Sequence, residues 1–448
     1  MSSLVNAGGE VFPIGNDVNS DAIRKPLWPA EAPAFLALGA PARLRVPLSS
    51  RVPSATLLPR ATGTRLAPGS RLCDASPAEA HLALAPVAGT LAGGSDARVA
   101  GGPELGVAEL DVDPAQTAAP IVSSDPIDLA AVQRLLPVDK AVWIDRIRDA
   151  GIHADRRASP DLVAQLNSSL KRTVDVIVCN VLDSDPAAAI NSVLAARYPA
   201  QLAAGVAALM RLCAARQGLI VLDRSVPAGW STPLRKLSKD LGLKLAWLFN
   251  AYPQSDPTPL LYTLLHQRLR PTQLPTQCGT IVIDAAVAIA IGSLVLHQLP
   301  MLSTPLAVRD HPRGVTHFVI APLGMSVRDV MLALRIDEPR LVVRAGDILR
   351  DQKLQTSAVL AGGECVIHLN APARPVDPDP CIRCGWCVDL CPTRVHPALL
   401  LEAAQRRSLP LAERAGLQGC IECGVCVYVC PSRLPLLEGI RSLRLLDA

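Results

Sequence analysis

The feature that most constrains this chain is a duplicated cysteine pattern near its C-terminus, "CIRCGWCVDLCP" followed by "CIECGVCVYVCP". Each copy reads C-x2-C-x2-C-x3-C-P: Cys381, Cys384, Cys387 and Cys391 before Pro392, then Cys420, Cys423, Cys426 and Cys430 before Pro431. Eight of the 13 cysteines sit in these two frames. The other five, Cys73, Cys179, Cys213, Cys278 and Cys365, are scattered through apolar stretches and read as buried free thiols. The N-terminal "MSSLVNAGGEVFPIGNDVNS" has neither the basic start nor the apolar core of a signal peptide. A reducing cytoplasm is therefore the expected compartment.

The spacing is the one by which three cysteines of a run bind one [4Fe-4S] cluster and the fourth binds another. The expected ligand sets are crossed: Cys381, Cys384, Cys387 and Cys430 for the first cluster, Cys420, Cys423, Cys426 and Cys391 for the second. Three thiolates separated by two residues can wrap one face of a cubane, and the proline ends that loop and sends the fourth cysteine across. Gly385 and Gly424 allow the backbone to come close. Zinc is the alternative, since C-x2-C also serves zinc, but a zinc ion uses two such pairs and leaves the remaining cysteines and the proline unexplained. Disulfides are the third choice. The frames differ at Arg383 against Glu422, and this contrast predicts the higher potential for the first cluster, unless both charges are merely solvated.

The rest of the chain is long enough, at 448 residues, for several domains. A net charge of only +4 points to neither nucleic acid nor an anionic membrane surface, and with 3% aromatic residues there is little surface for stacking bases or flavin rings. Residues 1–34 read as an irregular Pro- and Gly-punctuated arm. Short β-like runs with turns at Pro68-Gly69 and Pro86 to Gly89 fill 35–108. A polar linker covers 109–127, from "ELDVDP" onward. Alternating strand and helix patterns then predict a parallel α/β domain over 128–275, with strands at "VDVIVCNVL", "GLIVLD" and "KLAWLF". A second β/α module is expected over 276–354, and the two cysteine frames lie in a helical domain over 355–448. The apolar stretch Thr280 to Leu299 carries Asp284 and His297, and reads as a buried strand-to-helix element rather than a membrane span.

The two frames and the phrase "CIECGVCVYVCPSRLPL" closely resemble the C subunit of the Rnf complex, the ion-translocating ferredoxin:NAD oxidoreductase, whose fold also appears in the flavin-binding subunit of complex I. The stretch from "LRVPLSS" to "HLALAPVAGTLAG" is similar to that family's N-terminal barrel-sandwich hybrid domain. "CGTIVIDAAVAIA" with "HFVIAPLGMSVRDVM" is similar to its ubiquitin-like SLBB module. The resemblance implies an α/β multidomain chain: the hybrid β domain, a Rossmann-like α/β domain of NADH/FMN-binding type, the SLBB β module and a C-terminal α-helical two-cluster ferredoxin-like domain. It implies two [4Fe-4S] clusters, FMN and NADH as cofactors. The implied partners are other redox-complex subunits, membrane-embedded ones among them, with a ferredoxin-like or flavoprotein electron partner and no nucleic acid. It places the chain in the cytoplasm, on the inner face of the cell membrane through its partners.

The nucleotide motifs of that family are altered here. Gly151 stands, but His153, Asp155, Arg156 and Arg157 replace the glycines after it, where a Cβ blocks the approach of backbone N–H groups to phosphate. Asn180, Asp183, Asp185 and Pro186 echo an Asn-Gly-Ala-Glu-x-Glu-Pro strand exit, so Asn180, Asp183 and Asp185 are the candidate cofactor-binding residues, with turn or helix-start roles as the alternative. Tyr252, Pro253 and Gln254 precede Ser255 and Asp256 where the family has glycines. The expected function is thus an electron relay through two clusters without hydride chemistry or a catalytic residue of its own. An NADH-oxidising, cobalamin-reductase-like flavoprotein and a scaffold with structural clusters are the alternatives.

Overall fold

The computed structural model describes residues 28–48, 61–73, 83–100, 102–153, 159–185, 188–336, 340–347, 349–363, 366–372 and 377–447. Arg156, Arg157, Pro186, Cys365 and most of the N-terminal arm lie outside the described residues.

Strands whose residues are apolar on both faces belong between two layers of helices, and the middle of the chain obeys this. Lys244–Leu248, Gln217–Asp223, Val176–Asn180 and Thr280–Asp284 form a four-stranded parallel sheet in that spatial order. The outer edge of the Thr280–Asp284 strand is sealed by one side chain: the Gln165 amide accepts from Val282 N–H (2.8 Å) and donates to Val282 C=O (2.9 Å). The helical stretch between the Val176–Asn180 and Gln217–Asp223 strands is two helices, Ile190–Arg197 and Pro199–Leu212, bent by 96° where Pro199 cannot continue the first ladder. Helices Ala228–Asp240 and Pro257–Leu265 were not foreseen, and Pro233 lies inside the former.

Thr280–Asp284 pairs in parallel with Val176–Asn180, and the 13-residue helix Ala285–His297 packs on the same sheet. The boundary expected at 276 is therefore displaced, because the apolar strand and helix after it complete the α/β domain instead of opening the next module. Ala285–His297 crosses Pro199–Leu212 at two glycines, Gly205 and Gly292, whose backbones meet: a Cβ on either would stand 1.9 Å from a carbonyl oxygen of the other helix. Among the described residues no single helix is long and apolar enough to cross a membrane, and the bent pair that passes by composition is largely buried in the core.

The following module is a six-stranded mixed sheet, in the order Leu36–Ala37, Val315–Pro322, Ser303–Asp310, Val366–Asn370, Val342–Ala345, Gln352–Lys353. It takes one strand from the segment assigned to the β domain and one from the segment assigned to the cluster domain, so the limits at 35 and 355 also move. Arg43–Pro47, Glu104–Val112, Gly89–Arg98 and Arg65–Leu66 form an antiparallel sheet, which carries the β region past 108 into the supposed linker. The C-terminal domain is helical, packing Leu400, Ala403, Ala412, Leu417, Ile440 and Leu443. Of the scattered cysteines, Cys73 and Cys179 are buried, whereas Cys213 and Cys278 are only half-buried.

Gly292→Ala tests the close crossing. Helix propensity alone favours alanine by about 1 kcal/mol, but the added carbon meets the Gln201 carbonyl. A net loss of about 1–3 kcal/mol is expected from overpacking, read as a lower midpoint in thermal unfolding; an unchanged or higher midpoint contradicts the packing.

Candidate cofactor sites

The cysteine frames repeat in backbone geometry as well as in sequence. Each ends its loop at a glycine of positive φ, Gly385 at 81° and Gly424 at 77°, followed by a one-turn helix, Trp386–Asp389 or Val425–Tyr428. Arg383 and Glu422, at equivalent places, both adopt left-handed φ, 56° and 52°. Gly424 carries a second constraint, because a Cβ there would lie 2.1 Å from the Leu349 carbonyl of the six-stranded module. Gly385 has no such neighbour.

Around the second frame, Cys391 of the first frame joins Cys420, Cys423 and Cys426 on the wall of a cavity of about 330 Å3, counted to its open mouth, with Ile421, Val425, Leu437 and Ile440 as apolar lining. Cys387, in turn, packs beside Cys430. The electrostatic neighbours follow the same crossing. Burial pushes the Cys420 thiol up to about 11 and Cys423 up to about 12, and Cys391 adds to both. Cys387 is raised by burial and then by Cys384, Cys430 and Cys381. Thiols gathered this closely in dry surroundings ionise together only if a cation compensates them, which is the chemistry of a thiolate-bound metal centre. Among the described residues no three His, Cys, Asp or Glu side chains close on a single metal ion; the thiols ring a cavity instead. The donor set and its arrangement fit iron-sulfur clusters. The two positions differ in exposure: Cys381 and Cys384 are exposed, whereas Cys391, Cys420, Cys423, Cys426 and Cys430 are buried.

Asn180, Asp183 and Asp185 come together at the C-terminal edge of the parallel sheet, where open α/β sheets bind ligands. All three are buried, and they hold protein groups there. Asn180 Nδ2 donates to Ser255 C=O (2.7 Å) and its Oδ1 accepts from Leu182 N–H (3.2 Å). Asp183 accepts from Asn191 N–H (2.6 Å) and from the Ser192 hydroxyl (2.6 Å) at the start of helix Ile190–Arg197. Burial still raises its carboxyl to about 7. Asp185 Oδ2 lies 3.5 Å from His368 Nε2, whose other ring nitrogen is 3.0 Å from His311. Asp284 accepts from Val287 N–H (2.9 Å) and Asp256 from Thr258 N–H (3.1 Å), so helices Ala285–His297 and Pro257–Leu265 also start on a carboxylate. A flavin phosphate requires such N–H groups for itself. The residues at these three helix starts do not fit one.

Residues standing where the family has glycines tie the α/β domain to its neighbours. His153 Nδ1 meets Gly151 C=O (2.9 Å) and its Nε2 meets Ala361 C=O (2.5 Å) of the six-stranded module. Asp256 faces Arg350 (3.4 Å), a buried guanidinium that also contacts Asp347; burial by itself would lower this group, and Asp347 and Asp256 hold it charged. The Tyr252 hydroxyl donates to the carbonyl of the ligand candidate Cys423 (2.5 Å). Arg350 carried no signal in the sequence, since nothing local distinguishes it from other surface-type arginines.

Residues 147–293 match the Nuo51 FMN-binding domain family and residues 375–431 the 4Fe-4S dicluster domain family. The C subunit of the ion-translocating oxidoreductase complex of Edwardsiella ictaluri is 26% identical over 67% of this chain and 38% of its own length. The chain is similar to this C subunit. A second relative of this kind, the C subunit of the Na(+)-translocating ferredoxin:NAD(+) oxidoreductase complex of Acetobacterium woodii, is 21% identical over 52% of this chain and 54% of its own. The cobalamin reductase PduS of Salmonella typhimurium is 26% identical over 58% and 60%. The chain thus spans less than two thirds of each of these relatives. It joins an α/β domain of the Nuo51 FMN-binding type to a C-terminal iron-sulfur dicluster domain.

Arg350→Met leaves the buried Asp256 and the half-buried Asp347 without their cation. A loss of about 3–5 kcal/mol in denaturant unfolding is expected for breaking such a pair; an unchanged unfolding midpoint contradicts its role as a bridge.

Proposed function

We propose that the chain is an electron-transfer subunit of a redox complex, passing electrons between two [4Fe-4S] clusters without oxidising NADH itself. The observation that carries this reading is the crossing of Cys391 onto the wall formed by the second frame, while aspartates take the helix-start N–H groups of the α/β domain. The names of the Edwardsiella and Acetobacterium relatives, which belong to ion- and Na(+)-translocating complexes, agree with it. Cys381, Cys384, Cys387 and Cys430 hold the first cluster, and Cys420, Cys423, Cys426 and Cys391 the second. When bound, each cluster supplies a one-electron centre. The chain's residues bind iron through thiolates, exclude water from the second site and fix the Cys423 loop through Tyr252. The exposed first frame faces the external redox partner, a ferredoxin-like protein or flavoprotein. Other subunits, membrane-embedded ones among them, hold the chain at the cytoplasmic face of the cell membrane. The antiparallel sheet is of barrel-sandwich hybrid type and the six-stranded sheet SLBB-like.

A second reading, a cobalamin-reductase-like flavoenzyme, is favoured by the likeness to PduS. It requires flavin held by something other than the capped helix starts.

Iron, sulfide and released flavin in anaerobically purified protein separate the two readings. About eight irons per chain, two [4Fe-4S] clusters, without flavin is expected; stoichiometric flavin with NADH-dependent dye reduction supports the flavoenzyme. The crossed ligands have their own test. Cys391→Ser should remove the electron paramagnetic resonance signal that Cys420→Ser removes, and Cys430→Ser the one that Cys381→Ser removes; the uncrossed pattern refutes the assignment.

A further inference from the structure

Glu422 stands between two cysteines of the second frame, and its carboxylate is gripped from the helix Leu436–Asp447. Arg441 Nε lies 3.4 Å from Oε2 and Arg444 Nε 2.7 Å from Oε1, the latter a charge contact without hydrogen-bond alignment. The Glu422 side chain is only 15% exposed. The same arginines hold backbone: Arg444 Nη2 donates to the carbonyls of Cys420 (2.7 Å) and Leu417 (3.4 Å), and Arg441 Nη2 to that of Arg350 (3.0 Å).

The internal repeat supplies a built-in comparison. Its first half has Arg383, Glu402 and Gln405 at the places of Glu422, Arg441 and Arg444. There Arg383 is exposed, and Glu402 pairs with Arg406, the residue that caps the end of its own helix (2.7 Å). Three equivalent positions therefore carry one cation and one anion in the first half, but two cations and one anion in the second. The plain contrast of Arg383 with Glu422 expected from the sequence is removed by this pairing, since the glutamate is compensated twice.

We propose that Arg441 and Arg444 are positioning residues that tune the second iron-sulfur centre: with Glu422 they place one excess positive charge beside it and raise its reduction potential. This rests on the reading that the frames hold two clusters. Reduction adds a negative charge, which burial opposes and a nearby cation favours. The thiols of the second set are buried, so the arginines offset a cost that the exposed first frame does not meet.

The test is a redox titration of the intact holoprotein followed by electron paramagnetic resonance, the second centre being the signal lost in Cys420→Ser. Arg444→Gln should lower its midpoint, Glu422→Gln should raise it, and Arg444→Lys should restore most of the loss, with the first centre unmoved. Opposite signs from two partners of one ion pair are an electrostatic signature; loosening of the loop moves both variants the same way. Same-sign shifts, or unmoved midpoints at full iron content, overturn the proposal. If Arg444→Gln does not retain iron, Glu422→Gln and Arg444→Lys decide by the same criteria. Absence of iron and sulfide from the unaltered protein overturns the two-cluster reading and this proposal with it.

Discussion

Four thiolates must converge on a cubane, and a single run of this spacing delivers three of them to one cluster. On the proposed crossed ligation, each half of the C-terminal domain is incomplete without the other. The helices Pro397–Gln405 and Leu436–Asp447, packed through Leu400, Ala403, Ile440 and Leu443, hold the halves at the separation that lets Cys391 reach the second frame. The consequences extend outward from there. Gly424 admits the Leu349 carbonyl, Tyr252 bonds to the Cys423 carbonyl, and Arg441 reaches the Arg350 carbonyl. The second frame is clamped by two other parts of the chain, while Cys381 and Cys384 of the first remain exposed.

The α/β domain carries the architecture of a cofactor-binding unit with its anion sites turned inward. A helix start favours one negative group, and a side chain already in place competes with any free phosphate without a loss of translational freedom. Asp183, Asp256 and Asp284 fill that role at three helices on the ligand-binding edge of the sheet. His153 reaches Ala361 and Asp256 reaches Arg350, and both contacts join the α/β domain to the six-stranded module.

Much of this was legible locally. The cysteine spacing announces iron-sulfur ligation, and the apolar runs at 176–180, 217–223, 244–248 and 280–284 are all strands of one parallel sheet. The helices Ala228–Asp240 and Pro257–Leu265 were not foreseen; both carry prolines near their starts, where the first turn of a helix accepts one. Domain limits were the least legible part. Strand pairing ignores distance along the chain: Leu36–Ala37 and Val366–Asn370 join the same sheet across more than three hundred residues.

The sequence by itself determined the ligand chemistry, because the thiols and their spacing are properties of one short stretch, and the resemblance drawn from it set His153, Ser255 and Asp256 against glycines of the family's motifs. Only the tertiary structure decided what the replacements do and how the two frames differ. Arg350, Arg441, Arg444 and His153 act through partners distant in sequence, and whether a charge near a cluster is bare or paired depends on which side chains the fold brings within a few ångströms.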